Sequence, residues 1–360
     1  MIKGLIFVKH RSILTRLTAL LLCLVTAFTF CGCGQDAEST QTQTFAMNTV
    51  ITLTAYGKNR EAGLDAAKSV IFSMDAMLDP QIETSVVAAM NRANGASTVV
   101  PGQIARMIEV AQEVYKRSDG ALDPTIYPLV QLWGFVDQKY YVPSDEEIAQ
   151  AKRKLCFGDV TLTSFPATGT YTVTMPDYAR MTFGAIGKGC AAQYVVDAMR
   201  NAGVKSGIIS LGGNLQTLGL KPGRNPWTVA ITDPNDPTSW VGTIQTGIED
   251  GTVAVVTSGP YQQNFTKNNK FYHHILSPKT GYPTTNSLVS VTIICEDGTT
   301  ADALSTAMFV LGKNAALNYW RNYGGFEMIL ITNDNEITCT RGLMENFTLS
   351  NKNYTVRYVE

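Results

Sequence analysis

The sequence predicts an α+β fold with mixed, largely antiparallel sheets and helices packed against them. Segments of β-branched residues that alternate with polar ones are typical of strands, and apolar residues three and four apart are typical of helices. The two kinds of segment interleave without the regular strand–helix–strand order of a doubly wound parallel sheet. We see no internal repeats, and the pattern allows two lobes around one active-site cleft.

The predicted elements begin at residue 45. In chain order they are a strand at 45–56, a helix at 61–78, a helix after Pro101, a Gly- and Pro-rich segment from 118, a polar helix near 144–154, short strands near 160 and 171, a Gly-rich turn at 184–189 that opens a helix through 199, a strand that ends at 211–214, a strand-rich stretch to 276, a strand at 288–294, a helix at 300–311 and two closing strands.

The first 32 residues have the order of a secretory signal peptide. Four basic residues precede an uncharged apolar run from Leu17 to Phe30. This run is shorter than the about 20 residues needed to span a membrane. Cys33 follows Gly32, and a cysteine after a small residue here resembles the site where bacterial lipoproteins are cleaved and acylated. We therefore predict a signal peptide at 1–32, lipid attachment at Cys33 and a location on the extracytoplasmic face of the bacterial membrane. An uncleaved signal anchor is the alternative.

Composition constrains the rest of the chain. Residues 33–44 have no hydrophobic period, which predicts a flexible tether before a catalytic domain at 45–360. Removing four of the 29 basic residues and none of the 30 acidic ones leaves a net charge of about −5. No Lys/Arg cluster stands out, which argues against nucleic acid as a partner. The cysteines after Cys33 are far apart without CxxC spacing, which argues against a zinc site.

Two histidines are the only imidazoles of the mature chain, because His10 lies in the signal peptide. His273 and His274 lie in a predicted strand, where successive side chains face opposite sides, so one can face a cleft while the other faces solvent. A turn rich in Pro and Gly follows at 277–283. The pair is a candidate source of a catalytic base, and a purely structural role is the alternative.

Asp302 and Thr306 lie four residues apart in an otherwise apolar helix. This spacing places both oxygens on one helix face. A carboxylate and a hydroxyl suit a hard cation such as Mg²⁺, which would complete its ligand set from phosphates, waters or backbone carbonyls. Alternatively, Asp302 complements the helix dipole and Thr306 packs behind it.

Three Gly-containing turns offer close backbone approach to a ligand. The turn at 184–189 (Gly-Ala-Ile-Gly-Lys-Gly) combines a helix start with the ammonium of Lys188, which suits a pyrophosphate. It matches neither the P-loop nor the dinucleotide-binding pattern. Gly212-Gly213 and Thr257-Ser258-Gly259 follow predicted strands. An ordinary turn is the alternative for each.

Seven motifs together carry more information than any one of them. FAMNT, DGALDPT with PLVQLWGF, FGAIGKG, LGGN, TSGPY, YHHI with SPKTGYP, and ADALSTAMFVLG occur in this order between Phe45 and Gly312. This series resembles the FAD:protein FMN transferases, the ApbE family. The resemblance implies a Mg²⁺-dependent enzyme that splits FAD at its pyrophosphate, attaches FMN through its phosphate to a threonine of an extracytoplasmic membrane redox protein, and releases AMP.

The resemblance also implies roles for individual residues. Asp302, Thr306 and the backbone carbonyl of Ala185 would hold Mg²⁺, Lys188 would face the phosphate, and His274 would deprotonate the acceptor threonine. The FAD pocket would be lined by Met47, Asp123, Lys188, Gly212, Gly213, Ser258 and Thr280.

The chain departs from the family pattern at three places. Ser277 replaces an Asp after the histidines, Thr182 replaces an Asp before the Gly-rich turn, and residues 77–81 lack the aromatic residue that covers the flavin. The last departure predicts some hydrolysis of FAD without an acceptor. Two other functions stay open: a Mg²⁺-dependent FAD pyrophosphatase that gives FMN and AMP, and a flavin-binding lipoprotein without catalysis. Retention of His274, Asp302 and Thr306 argues against the second.

Overall fold

The structure, a computed structural model, describes residues 38–360. It contains strands and helices in alternating groups. The strands are β1 Ser39–Ala46, β2 Thr49–Tyr56, β3 Thr98–Val100, β4 Thr161–Phe165, β5 Thr170–Thr174, β6 Ser206–Leu211, β7 Asn214–Leu218, β8 Trp227–Asp233, β9 Asp236–Thr246, β10 Thr252–Ser258, β11 Asn264–Lys267, β12 Lys270–His273, β13 Leu288–Cys295, β14 Glu327–Thr332, β15 Glu336–Thr340, β16 Phe347–Leu349 and β17 Thr355–Val359. The α-helices are α1 Arg60–Leu78, α2 Val86–Arg92, α3 Gly102–Arg117, α4 Tyr127–Leu132, α5 Asp145–Lys152, α6 Gly187–Asn201, α7 Gly298–Leu311 and α8 Lys313–Tyr323.

A nine-stranded sheet is the centre of the fold. Its order is β1-β2-β6-β7-β10-β13-β14-β15-β17, and every neighbouring pair is antiparallel except β15 and β17. Smaller sheets are β3-β5-β4, β16-β9-β8 and the β11-β12 hairpin. The predicted α+β class with largely antiparallel sheets is confirmed.

The helices α1, α6 and α7 cover one face of this sheet side by side. In α1 the buried residues Leu64, Ala67, Ile71 and Met74 recur at three- and four-residue spacing, which is why this helix was predictable. Alternate residues of β6, among them Ile209, are buried against these helices. This packing forms the main core, so the helix starts are fixed relative to the strand ends.

The predicted tether is wrong over residues 39–44. These residues belong to β1, whose backbone pairs with β2 from Ser39↔Tyr56 to Ala46↔Thr49. Because β1 is an edge strand, its Thr and Gln side chains remain accessible and no apolar alternation is needed. The predicted single strand at 45–56 is instead the last two residues of β1, the turn and all of β2. The signal peptide and Cys33 lie outside the described residues.

Other elements also differ from prediction. Helices α2, α4 and α8 and strand β3 were not predicted, and β14 to β17 are four closing strands rather than two. Helix α8 follows α7 after Gly312, whose φ of 77° turns the chain at a place that only Gly adopts readily. In the described part of the chain, no helix has the length and apolar character needed to cross a membrane.

Candidate active site

Three connections meet at one end of the nine-stranded sheet. They are the β1–β2 turn with Met47, the β6–β7 turn with Gly212 and Gly213, and the C-terminal end of β10 with Ser258. The Thr257 amide donates to the Gly213 carbonyl at 3.2 Å, which joins two of these connections. Four residues predicted to line one pocket therefore lie at the same end of the sheet, which we call the site end. They are Met47, Gly212, Gly213 and Ser258.

The starts of α6 and α7 approach each other at this end. The Gly189 amide donates to Oδ2 of Asp302 at 2.7 Å. A Cβ on Gly189 would lie 2.1 Å from the Gly298 carbonyl oxygen, so only glycine permits this approach. Asp302 is 4% exposed, and its carboxylate is thus a buried group with a defined hydrogen bond rather than an exposed helix-capping charge.

Oxygen atoms cluster around Asp302. The Ser258 Oγ lies 2.8 Å from the Ser305 Oγ and 3.4 Å from the Thr306 Oγ1, and the Ser305 hydroxyl donates to the Asp302 carbonyl at 2.9 Å. We call Gly189, Asp302, Ser258, Ser305 and Thr306 the α6–α7 junction. Sequence analysis missed Ser305, although its position three residues after Asp302 places it on the same side of the helix.

The donor set of the junction suits a hard cation. Carboxylate and hydroxyl oxygens are ligands that Mg²⁺ accepts. Residues 38–360 contain no group of three or more His, Cys, Asp or Glu that could hold a metal ion. A cation at Asp302 and Thr306 would therefore need backbone, phosphate or water oxygens as well. Ala185 lies two residues before the first residue of α6, and its role as a ligand stays a prediction.

Met47 and Leu78 lie over the start of α6. The Met47 amide donates to Oδ1 of Asp75 in α1 at 2.7 Å, and this bond holds the turn in which Met47 has a φ of 52°. A Cβ on Gly187 would lie 3.1 Å from Cδ1 of Leu78 and 3.8 Å from Cε of Met47. The segment that lacks an aromatic residue is thus placed beside the predicted phosphate site, and its cover is aliphatic.

His274 has one imidazole nitrogen committed and one without a hydrogen bond among the described residues. Its Nδ1 lies 3.1 Å from the Gln263 carbonyl oxygen, which also accepts from the His274 amide at 3.1 Å. Because a carbonyl only accepts, Nδ1 carries the proton and Nε2 carries the lone pair. Burial, with a smaller contribution from the positive charge of Lys188, lowers the pKa of His274 to about 4. The imidazole is therefore neutral near pH 7.

The prediction that one of the two histidines faces solvent is wrong. His273 is 6% exposed, with Nε2 3.0 Å from the Thr284 carbonyl, Nδ1 accepting from the Ile275 amide at 3.3 Å, and its ring edge-to-face with Phe309. Strand β12 ends at His273, so the alternation of a strand does not extend to His274. His273 is a structural residue.

Phe135 packs against His274 and also contacts Gln263, the residue that bonds its imidazole. The Gln263 side chain donates to the Phe135 carbonyl at 2.8 Å, and the Phe135 ring packs edge-on to His274 with centroids 6.5 Å apart. We call His274, Gln263 and Phe135 the histidine support. Sequence analysis missed Gln263 because its carbonyl, not its side chain, orients the imidazole.

The turn that contains Thr280 is tied to the same aromatic cluster. The Trp133 indole N–H donates to the Gly281 carbonyl at 2.9 Å. The Thr280 Oγ1 accepts from the Tyr282 amide at 3.2 Å, and the Ser277 Oγ accepts from the Thr280 amide at 3.4 Å. Ser277 therefore preserves the turn where the family pattern has Asp. Contact of Thr280 with FAD stays a prediction.

Asp123 has a structural role in its own turn. Its Oδ1 accepts from the Thr125 amide at 2.8 Å and from the Thr125 hydroxyl at 2.5 Å, while burial raises the pKa of Asp123. The Thr182 amide donates to the Pro124 carbonyl at 2.9 Å, which ties this turn to the segment before the Gly-rich turn. A direct contact of Asp123 with the flavin stays a prediction.

Asn214 is a candidate that sequence analysis named only as part of a motif. Its side-chain nitrogen is buried and has no hydrogen-bond partner within residues 38–360. Gln216, two residues along β7 and on the same face, bonds Gln193 of α6 at 2.7 Å, so Asn214 also lies on the α6 side of the sheet. An unpaired buried donor at the site end is suited to a polar ligand atom.

Known proteins resemble this chain over nearly its whole length. A profile of the ApbE family matches residues 47–330. The FAD:protein FMN transferases of Treponema pallidum and Escherichia coli K12 are each 28% identical, over 90% and 92% of this chain and 93% and 97% of theirs. Among solved structures, the ApbE protein of Thermotoga maritima has a TM-score of 0.76 and 29% identity, over 85% of this chain and 98% of that one. The apo flavinyl transferase ApbE of Pseudomonas stutzeri has a TM-score of 0.74 and 25% identity, over 86% and 97%. Since the profile covers most of the chain and full-length relatives share its fold, the chain belongs to the ApbE family.

Proposed function

We propose that this protein is a Mg²⁺-dependent FAD:protein FMN transferase that flavinylates a threonine of a membrane redox protein outside the cytoplasm. The hydroxyl oxygen of the acceptor threonine attacks the FMN phosphorus of FAD, the pyrophosphate P–O bond breaks, and AMP leaves. His274 accepts the hydroxyl proton. The names of the relatives support the transferase activity, and the arrangement of the site end supports its mechanism.

The position of Lys188 is the observation that carries this proposal. Lys188 directly precedes Gly189, whose amide bonds Asp302, and its positive charge adds to burial in lowering the pKa of His274. We expect a phosphoryl group held by Lys188 to contact the oxygen atoms of the α6–α7 junction on one side and to face the lone pair on His274 Nε2 on the other. In this proposal, nucleophile activation and phosphate binding occur at one place.

The residues of the junction fit the proposed cation. Asp302, Thr306 and the Ala185 carbonyl would hold Mg²⁺, which when bound neutralises charge on the phosphates. The Ser258 hydroxyl contacts Thr306 Oγ1, and the Gly189 amide orients the Asp302 carboxylate. The N-terminal amides of α6 and the Lys188 ammonium favour the anionic phosphates. We expect Gly212, Gly213, Met47, Asn214 and Thr280 to contact the rest of FAD.

His274 is arranged to act as a base rather than as a phosphate ligand. The Gln263 carbonyl fixes the tautomer with Nε2 unprotonated, and the depressed pKa keeps that nitrogen available at neutral pH. A pure flavin-binding protein would have no use for an oriented, unprotonated imidazole. The arrangement therefore favours the transferase over the flavin-binding lipoprotein.

A direct assay tests the proposal. The purified chain with FAD and Mg²⁺ should release AMP and leave covalently bound FMN on an added threonine-bearing redox subunit, and a chelator should stop both. AMP release at the same rate with and without the subunit, with no covalent flavin, would instead identify an FAD pyrophosphatase. The aliphatic cover formed by Met47 and Leu78 favours some hydrolysis, because exclusion of water decides between the two acceptors.

The membrane location is also part of the proposal. We propose that the signal peptide 1–32 is removed and that Cys33 carries the lipid. Cys33→Ala should move the protein from the membrane to the soluble fraction while its FAD turnover is retained. Complete membrane partitioning of the cleaved variant would contradict the anchor.

A further inference from the structure

The end of the nine-stranded sheet opposite the site end is where the described chain begins. The Glu38 carbonyl accepts from the Gly57 amide at 2.9 Å, and Ser39 pairs with Tyr56, so β1 enters at this end and runs toward the site end. We call this opposite end the base. It comprises the start of β1, the β2–α1 connection, the end of α6, and the β6, β7 and β10 termini beside them.

Two elements, β1 and α1, run from the base to the site end, so their lengths give the separation between the two. The eight residues of β1 span about 26 Å at a rise of about 3.3 Å per residue. The 19 residues of α1 start at the base and end at Leu78 beside Gly187, and they span about 28 Å. The two lengths agree, so the candidate active site lies about 26–28 Å from the base.

The chain before β1 is short. Cys33 lies five residues before Glu38, and five residues reach at most about 18 Å even when fully extended. Resting on the lipid attachment at Cys33 proposed above, we infer that the domain stands on the membrane on its base, which contacts anionic lipid headgroups, with the active site facing away from the bilayer.

The charge of the base complements such a surface. Lys58, Lys205 and Lys221 lie there, and none of the three forms an ion pair with a carboxylate in the described part of the chain. Gly219, which follows β7, adjoins the Lys205 carbonyl, so the segment that leads to Lys221 starts beside Lys205. A group of free ammonium groups is attracted to an anionic leaflet.

The acidic residues of the base cancel only part of this charge. Glu38 and Glu61 share Arg60, with contacts of 2.7 and 4.0 Å, and Glu249 pairs with Arg224 at 2.5 Å. One of the two carboxylates at Arg60 and the exposed Asp250 therefore offset two of the three lysines. The base keeps a small excess of positive charge although the mature chain as a whole is acidic, at about −5.

This orientation restricts the partner. With the base on the headgroups, the acceptor threonine must reach a site about 26–28 Å above the membrane surface. A threonine on a segment that projects from its membrane protein meets this condition, and one in a loop at the headgroups does not.

Amine footprinting on vesicles tests the orientation. The full mature lipidated chain is reconstituted on vesicles of phosphatidylcholine alone or with about 30% phosphatidylglycerol, and acetylated with a membrane-impermeant reagent. Labelling of Lys58, Lys205 and Lys221 should fall about threefold on the anionic vesicles. Lys267 and Lys270, exposed in the β11–β12 hairpin away from the base, serve as internal controls and should not change.

A charge-reversal variant sharpens the test. In the unmodified chain, amide hydrogen exchange at residues 57–60 should be slower on anionic vesicles than on vesicles of phosphatidylcholine alone. This protection should disappear when Lys58→Glu, Lys205→Glu and Lys221→Glu are combined, and remain in the Lys267→Glu, Lys270→Glu control.

The outcomes separate this inference from the proposed function. Failure to float with the vesicles, with normal FAD turnover in the same sample, would overturn the anchor and the orientation together but not the transferase. Flotation and normal transfer with equal labelling of all five lysines would overturn the orientation alone. Protection of Lys267 and Lys270 instead would show that another face meets the membrane.

Discussion

The two halves of the candidate active site are built by different means. The α6–α7 junction is held by short polar contacts and by a close backbone approach at Gly189, whereas the histidine support rests on aromatic packing and one backbone carbonyl. The first half, which we propose binds Mg²⁺ and phosphate, has little space for larger side chains. The second sets the tautomer and pKa of one imidazole. The difference teaches that substitutions in the two halves should affect different steps.

The largest effect is expected at the junction. Asp302→Asn keeps an oxygen to accept from the Gly189 amide but removes the negative charge proposed to hold Mg²⁺. AMP release from FAD should fall about 10³-fold, equal to roughly 4 kcal/mol of transition-state stabilisation. The thermal unfolding midpoint should stay close to that of the unmodified protein. Near-normal turnover of this variant in chelator would rule out the Mg²⁺ site.

The histidine support should affect transfer and spare FAD binding. His274→Gln removes the proposed base, so covalent flavinylation should fall by about 10² to 10⁴, while the Kd for FAD changes little. Fluorescence of the flavinylated acceptor and a separate FAD titration measure the two quantities.

His273→Gln is the matched control for this substitution. It breaks two buried hydrogen bonds and should lower the free energy of unfolding by about 1–3 kcal/mol, yet leave transfer per folded molecule nearly unchanged. Equal losses of transfer in both variants, after correction for the folded fraction, would contradict the different roles of the two histidines.

A pair of glycines tests the close approach at the junction. The added Cβ of Gly189→Ala would lie 2.1 Å from the Gly298 carbonyl oxygen, whereas that of Gly184→Ala would come no closer than 3.7 Å, to Thr182 Oγ1. We expect the first change to lower the free energy of unfolding by about 2–3 kcal/mol and the second by less than about 0.5 kcal/mol. Thermal or urea unfolding measures both, and similar values would mean that α6 and α7 can separate without cost.

The smallest expected effect is a shift in the pH profile of the transfer activity that remains when Lys188 is substituted. Because His274 has a pKa of about 4, its neutral form persists above about pH 5, and transfer should decline only as the pH falls through 4. Lys188→Met removes a positive charge, so the midpoint of this acid limb should rise, by less than the full distance to 6.5 because burial is the larger cause. An acid limb near 6.5 in the unmodified protein would contradict the buried, neutral base.

The lowered pKa of His274 also makes the free energy of unfolding depend on pH. The unfolded chain, with an imidazole pKa near 6.5, binds the proton before the folded protein does. His274 therefore lowers the free energy of unfolding as the pH falls from about 6.5 to about 4, and His273, whose pKa burial also lowers, acts in the same direction.

Much of the molecule was determined by the sequence alone. The α+β class, the α1 and α6 helices, and the α7 helix that carries Asp302 and Thr306 follow from local periodicity, because each apolar stripe needs only its own residues to be recognised. The motif order identified the family, which the profile and the relatives confirm. The roles of individual site residues stay predictions.

The tertiary structure decided what depends on residues far apart in the chain. β1 is polar over residues 39–44 and becomes a strand there only because β2 offers backbone partners, so its pattern alone indicated a tether. Local pattern does not distinguish His273 from His274, and their different hydrogen bonds, with the carbonyls of Thr284 and Gln263, arise from the packed chain. The close contact of Gly189 with Gly298 exists only after α6 and α7 pack on one sheet. Local patterns record which elements form, whereas burial, tautomer and close approach depend on which distant atoms the packed chain brings together.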